Sequence, residues 1–155
     1  MAIVVRPFRA GDEAAFRDIN LEWIERFFAV EAKDREVLGD PHKYVLRDGG
    51  AILFACEGDE PVGVVSLIVI GEGEGEVELA KMGVRPSAQG KGAGRMLVSA
   101  AVKKAREMGI RRIYIETNSV LGPALKLYRD AGFQPLKHSV PSPYARADVQ
   151  LELFL

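Results

Sequence analysis

Short runs of alternating apolar and polar residues open the chain, fill its middle and close it, and three longer stretches between them repeat at helical spacing. Residues 3–8 read as a first strand. The turn Ala10-Gly11-Asp12 leads into a helix on which Phe16, Ile19, Trp23 and Phe27 form the expected core stripe. Leu21, Ile24 and Phe28 add a second stripe, more apolar surface than a one-sided helix needs, so one edge is expected to line a pocket or a partner surface. A shorter helix over 33–38 stops at Gly39-Asp40-Pro41 and makes a lid-like pair with the first. Two apolar strands, 50–57 and 61–70, meet at the hairpin signal Gly58-Asp59-Glu60. Residues 71–76, an alternation of Gly and Glu, read as a flexible turn into a further strand over 76–84.

That strand ends at Pro86, which cannot donate to a ladder. A glycine-rich turn then opens a long helix whose stripe is Ala93, Leu97, Ala100, Ala101, Ala105 and Met108, with Gly109 as terminator. Residues 111–117 alternate as a strand, and a helix follows from about Val120, with Pro123 in its first turn and Gly132 at its end. Residues 133–137 and 147–155 read as the last strands, the second setting Val149, Leu151 and Leu153 against Asp148, Gln150 and Glu152. The order βααβββαβαββ predicts one α/β domain over 1–155, a mixed, mostly antiparallel sheet flanked by helices.

Glycines at 90, 92 and 94 let bare backbone approach a ligand where unpaired amides begin a helix, which suits a phosphate ester. Spacing separates the possible cradles. A P-loop needs glycine where Arg85 stands and Ser or Thr where Gly92 stands. The dinucleotide fingerprint needs its third glycine where Arg95 stands. What fits is Gln/Arg-x-x-Gly-x-Gly/Ala, matched by Gln89, Gly92 and Gly94. Asn118, then Tyr128 near the end of a helix, then Gly132-Phe133 follow in order. Residues 51–133 thereby resemble the GNAT superfamily of acetyl-CoA-dependent N-acetyltransferases, whose fold agrees with the element order.

Composition adds little to this. The chain has 155 residues, enough for a full core, and 48% hydrophobic with 28% charged residues is a globular balance. The start has no basic region followed by a long apolar run and no apolar stretch reaches 18 residues, so the expected compartment is the cytoplasm, with no membrane partner. The single cysteine, Cys56, reads as a buried strand thiol, and His42 and His138 lack ligand-spaced partners, so no metal is expected. Charge is uneven. Residues 81–112 hold nine Lys or Arg against Glu107 alone, whereas residues 1–40 hold six basic against nine acidic side chains. Without interleaved aromatics the basic stretch suits a pyrophosphate better than nucleic acid.

The resemblance implies roles for particular residues. Gln89, Gly90, Lys91, Gly92, Ala93, Gly94 and Arg95 would cradle the pyrophosphate of acetyl-CoA, and backbone groups of Met82, Gly83 and Val84 would hold the acetyl carbonyl and pantetheine arm. Asn118 would bind cofactor backbone or sulfur, its other reading being a helix cap. Glu78 stands where several members hold a catalytic glutamate; its other reading is a solvated carboxylate. A lysine-like amine of pKa about 10.4 is roughly 0.1% neutral near pH 7.4, so deprotonation costs about 4 kcal/mol and a base is useful. Tyr128 would be the general acid for the departing thiolate, or else a core aromatic. For the acceptor, Glu22 and Trp23 on the first helix and Tyr144 and Arg146 in the last loop are candidates, with Arg146 suited to a substrate carboxylate. Direct acetyl transfer to a primary amine of a small molecule or peptide is the expected function, and a non-catalytic acyl-CoA-binding module is the alternative. The apolar stripes leave room for a homodimer.

Overall fold

The computed structural model describes residues 2–71 and 75–155, so residues 72–74 of the acidic glycine turn lie outside the described residues. The elements are β1 (Ile3–Pro7), α1 (Glu13–Phe27), α2 (Ala32–Gly39), a π-helical turn at His42–Leu46, β2 (Ala51–Glu57), β3 (Glu60–Val69), β4 (Glu76–Val84), α3 (Ala93–Glu107), β5 (Arg112–Thr117), α4 (Gly122–Asp130), β6 (Gln134–Pro135) and β7 (Val149–Phe154). The π-helical turn has no counterpart in the sequence reading.

Seven strands form one sheet in the order β1-β2-β3-β4-β5-β7-β6. Strands β4 and β5 run parallel, and the other pairs are antiparallel. β2 and β3 are buried on both faces, which is why they read as unbroken apolar runs. Leu53, Val65, Leu67, Val77 and Leu79 pack with Leu97, Ala101 and Ala105 of α3 and Leu125 of α4. Ile52, Phe54, Cys56 and Val64 pack with Phe16, Ile19 and Ile24 of α1 and Val37 and Leu38 of α2.

The expected core stripe of α1 needs correction. Phe16, Ile19 and Ile24 are fully enclosed, whereas Trp23 is half-buried and Phe27 is 46% exposed. Asn20 belongs to the buried arc because its amide donates to Phe16 O at 2.9 Å and its carbonyl accepts from Trp23 Nε1 at 2.9 Å. That turns Trp23 and Phe27 toward a groove. The expected strand over 133–137 shrinks to Gln134–Pro135, with one further bond to β7 from Leu136 N to Gln150 O at 3.1 Å.

The sheet splits where it matters. β4 pairs with β5 only from Glu76–Arg112 to Glu78–Tyr114, and beyond that the strands diverge. A bulge follows the divergence: the register against β3 shifts between Val64 and Ser66, and Lys81 takes φ +52°, a left-handed conformation uncommon outside glycine. The bulge also resets side-chain parity. Val77 and Leu79 face α3, Lys81 turns toward α2, and Met82 and Val84 return to the α3 side. No described helix is long and apolar enough to cross a membrane.

Candidate active site

A groove of about 760 Å³ follows the split, lined by Met82, Gly83 and Val84 of β4, Gln89, Gly90, Gly92, Ala93, Gly94 and Arg95 at the start of α3, and Tyr128 of α4. Past Glu78 the β5-facing edge of β4 has no strand partner, leaving backbone groups for an extended ligand arm. Gly90 and Gly92 have φ of +79° and +83°, so the turn needs their freedom, and Gly92 is the N-cap of α3. The first intrahelical bond runs from Met96 N to Gly92 O at 3.0 Å, so the amides of Ala93, Gly94 and Arg95 remain unpaired in the helix and lie along the groove. This donor set fits the phosphates of a coenzyme A. Of the predicted cations, Arg95 lines the groove while pairing with Asp130 at 2.8 Å. Lys91 is exposed, pairs with Glu57 at 3.1 Å, and is not among the groove residues.

A smaller cavity of about 60 Å³ opens off the groove, the two sharing Trp23, Ala80, Lys81, Glu116, Thr117 and Leu121. Glu78 lines it. Its carboxylate has no hydrogen bond or ion pair among the described residues, and burial, with Glu116 adding repulsion, pushes its pKa up to about 7. Glu116 is fixed by two donors, Tyr114 Oη and Ser142 Oγ, each at 2.8 Å. Tyr128 is buried edge-to-face against Phe133. Its hydroxyl has no hydrogen-bond partner among the described residues and opens on the groove, while burial raises its pKa well above 10.

Of the remaining predicted residues, Trp23, Asn118, Tyr144 and Arg146 border the smaller cavity and Glu22 does not. Glu22 is exposed on α1 and lines neither cavity. Asn118 borders the smaller cavity with both ends of its amide engaged: Nδ2 donates to Arg146 O at 2.6 Å, and Oδ1 accepts from Val120 N at 2.8 Å. It fastens the end of β5 to the loop before β7 and does not cap α4, whose N-cap is Leu121. Tyr144 and Arg146 do line the cavity, but Arg146 donates to Asp34 Oδ2 at 2.7 Å, to Asp34 Oδ1 at 2.6 Å and to Glu31 at 3.4 Å. The guanidinium offered to a substrate carboxylate is therefore already paired.

Asp34 is the centre that the sequence reading missed. Fully enclosed, it also accepts from Lys81 Nζ and from the Glu31 amide, at 2.7 and 2.8 Å. These donors hold its carboxyl well below the usual 3.8 in spite of burial, which opposes them. Burial draws the Lys81 ammonium below 10.5 against the pull of Asp34. A lysine amid the apolar residues of a strand was the available signal, but its partner lies 47 positions away.

A family model described as Acetyltransferase (GNAT) family matches residues 14–133. An uncharacterized N-acetyltransferase of Escherichia coli, YjgM, is 40% identical over 63 residues, 41% of this chain and 38% of that protein. Another uncharacterized N-acetyltransferase, YvbK of Bacillus subtilis, is 33% identical over 107 residues, 67% of this chain and 68% of that protein. Thus the match spans little more than a third of the first relative's length and two thirds of the second's. Among solved structures, a GNAT-family acetyltransferase from Staphylococcus aureus superposes with TM-score 0.86 at 19% identity, covering 97% of this chain and 98% of the other. The yncA structure from Salmonella typhimurium, a putative acetyltransferase with its cofactor acetyl-CoA, gives 0.74 at 21% identity, covering 99% and 94%. With the family model spanning most of its length, the chain belongs to the GNAT acetyltransferase family.

Proposed function

We propose that this chain is an N-acetyltransferase that moves the acetyl group of acetyl-CoA directly onto a primary amine. The observation that carries the reading is the unpaired Glu78 carboxyl, held near pKa 7 in a cavity that adjoins the glycine cradle. A base of that pKa both exists ionised near neutrality and retains affinity for a proton. Acetyl-CoA supplies an activated acyl group when bound.

The chain's own residues divide the remaining work. First-turn amides of α3 and the side chain of Arg95 would hold phosphate, and the open edge of β4 would align the arm so that its end reaches the cavity. Glu78 takes the proton of the incoming ammonium. The Tyr128 hydroxyl, without a hydrogen-bond partner among the described residues, is free to hydrogen-bond the departing sulfur. Its raised pKa makes it a weaker acid than a solvated phenol, while the same burial raises the proton affinity of a departing thiolate as well. Acetyl-CoA bound by a related solved structure supports the choice of donor.

The test is thiol release from acetyl-CoA with a panel of amines, measured for the parent and for Glu78→Gln. Turnover that falls at least about 100-fold in the variant, with acetyl-CoA affinity retained, supports the reading. Binding of acetyl-CoA without turnover of any amine by the parent would leave a non-catalytic acyl-CoA module.

A further inference from the structure

The charges around the smaller cavity do not contribute equally to what it can bind. Lys81 and Arg146 border it, and their side chains are 4% and 13% exposed. Both converge on Asp34, which lies behind them with no exposure of its own: Oδ1 accepts from Lys81 Nζ and Arg146 Nη2, and Oδ2 accepts from Arg146 Nη1 and the Glu31 amide. Lys81 spends a further donor on Tyr144 Oη at 2.9 Å. The guanidinium of Arg146 is also walled in, with Tyr144, Phe28 and Trp23 ring centroids at 4.6, 5.7 and 6.0 Å. Both cations are thereby committed to a carboxylate whose acceptor positions are filled, although each keeps N–H donors beyond these bonds. Glu78 and Glu116, by contrast, line the cavity without any cation paired to them among the described residues.

We infer that Asp34 is a specificity-determining residue: by holding Lys81 and Arg146 from behind, it neutralises both cations, leaves the acceptor cavity net negative and restricts the acceptor to amines that carry no carboxylate. The inference rests on the acetyl-transfer reading and deepens it. An acceptor carboxylate would enter a cavity whose cations are already neutralised by Asp34 and whose unpaired charges, among the described residues, are Glu78 and Glu116, and would meet net repulsion. A cationic amine meets the opposite field. Asp34 touches neither substrate in this account and acts through the two cations it engages, so it positions charge and takes no part in the chemistry.

The experiment uses the full chain, acetyl-CoA and matched acceptors: cadaverine with lysine, tyramine with tyrosine, and phenethylamine with phenylalanine and phenylalaninamide. The amide keeps the substituent beside the amine and loses only the charge. The amine of each pair should exceed its amino acid by about 100-fold in kcat/KM, chiefly through KM, with phenylalaninamide grouping with phenethylamine. Asp34→Asn, which frees both cations, should shrink that ratio at least tenfold, and Asp34→Glu should restore most of it; a merely structural loss would lower both acceptors together and leave the ratio. Amino acids turned over as well as their decarboxylated partners by the parent would overturn the inference while acetyl transfer stood, and this comparison decides even if Asp34→Asn fails to fold. Absence of turnover with every acceptor would overturn both readings.

Discussion

At about pH 7 the Glu78 carboxyl is half ionised in the folded chain, although its ordinary value is 4.5. If it is the base, kcat/KM should rise with pH up to about 7 and level off, and Glu78→Gln should remove that limb as well as most of the rate. A pH profile that keeps its acidic limb in the variant would assign the limb elsewhere. Tyr128 gives a second expectation at this scale. Tyr128→Phe removes one hydroxyl that has no hydrogen-bond partner among the described residues, so stability should change little, while turnover falls roughly 10- to 1000-fold with acetyl-CoA affinity retained. Melting curves, calorimetry and single-turnover rates separate these quantities, and an unchanged chemical rate would return Tyr128 to packing alone. Both residues were legible in the sequence through motif position. Their environment was not, because the raised carboxyl depends first on burial in the tertiary fold and then on Glu116, which the parallel pairing of β4 and β5 brings beside Glu78. Arg146 shows the converse error: a cation in the right loop, already paired by Asp34 from 112 positions away.

Two junctions between elements hold the site in shape. Where α1 crosses β4, a Cβ on Gly83 would lie 2.4 Å from Trp23 Cδ1, so the indole rests directly on backbone. Gly83→Ala should displace Trp23, which borders both cavities, costing about 1–3 kcal/mol and raising acceptor KM more than it lowers kcat. Denaturant unfolding with acceptor kinetics checks it, and an unchanged KM would mean that the indole does not shape the acceptor cavity. At the turn into α3, Gly92→Glu should abolish measurable acetyl-CoA binding in calorimetry, because it forces a side chain into a left-handed position and sets a carboxylate beside the first-turn amides. Binding at parental affinity by the folded variant would move the cradle elsewhere. The elements themselves were readable: β4 has the bounds the alternation predicted, and the glycine turn starts α3 where expected. The bulge at Lys81 was not, since nothing in the local pattern marks the residue that leaves the ladder. That one residue decides which side of the sheet Lys81 faces.

For the molecule as a whole, its buried carboxylates make opposite demands on pH. Asp34, stabilised by Arg146 and Lys81, and Asp12, paired with Arg6 at 2.7 Å, have folded pKa values below 3.8. Their contribution is present above about pH 3.8 and is lost as pH falls through the folded values. Glu78 has the reverse sign. Its folded pKa of about 7 exceeds the ordinary 4.5, so below pH 4.5 both states are protonated and it costs nothing; the cost grows from 4.5 to 7 and is complete above. The acidic side of the stability curve is thus set by the Asp34 and Asp12 pairs and its neutral side by Glu78. The ligand-free protein should be most stable between about pH 4 and 5, below the pH at which it works fastest. Melting temperatures from pH 3 to 9 test this, and the partition is read from Glu78→Gln: its melting curve should match the parent below pH 4.5 and exceed it increasingly up to about pH 7, then run parallel. Curves that stay superposed across the whole range would show that Glu78 ionises in the folded chain as it does in the unfolded one, and would take away the physical basis for its role as the base.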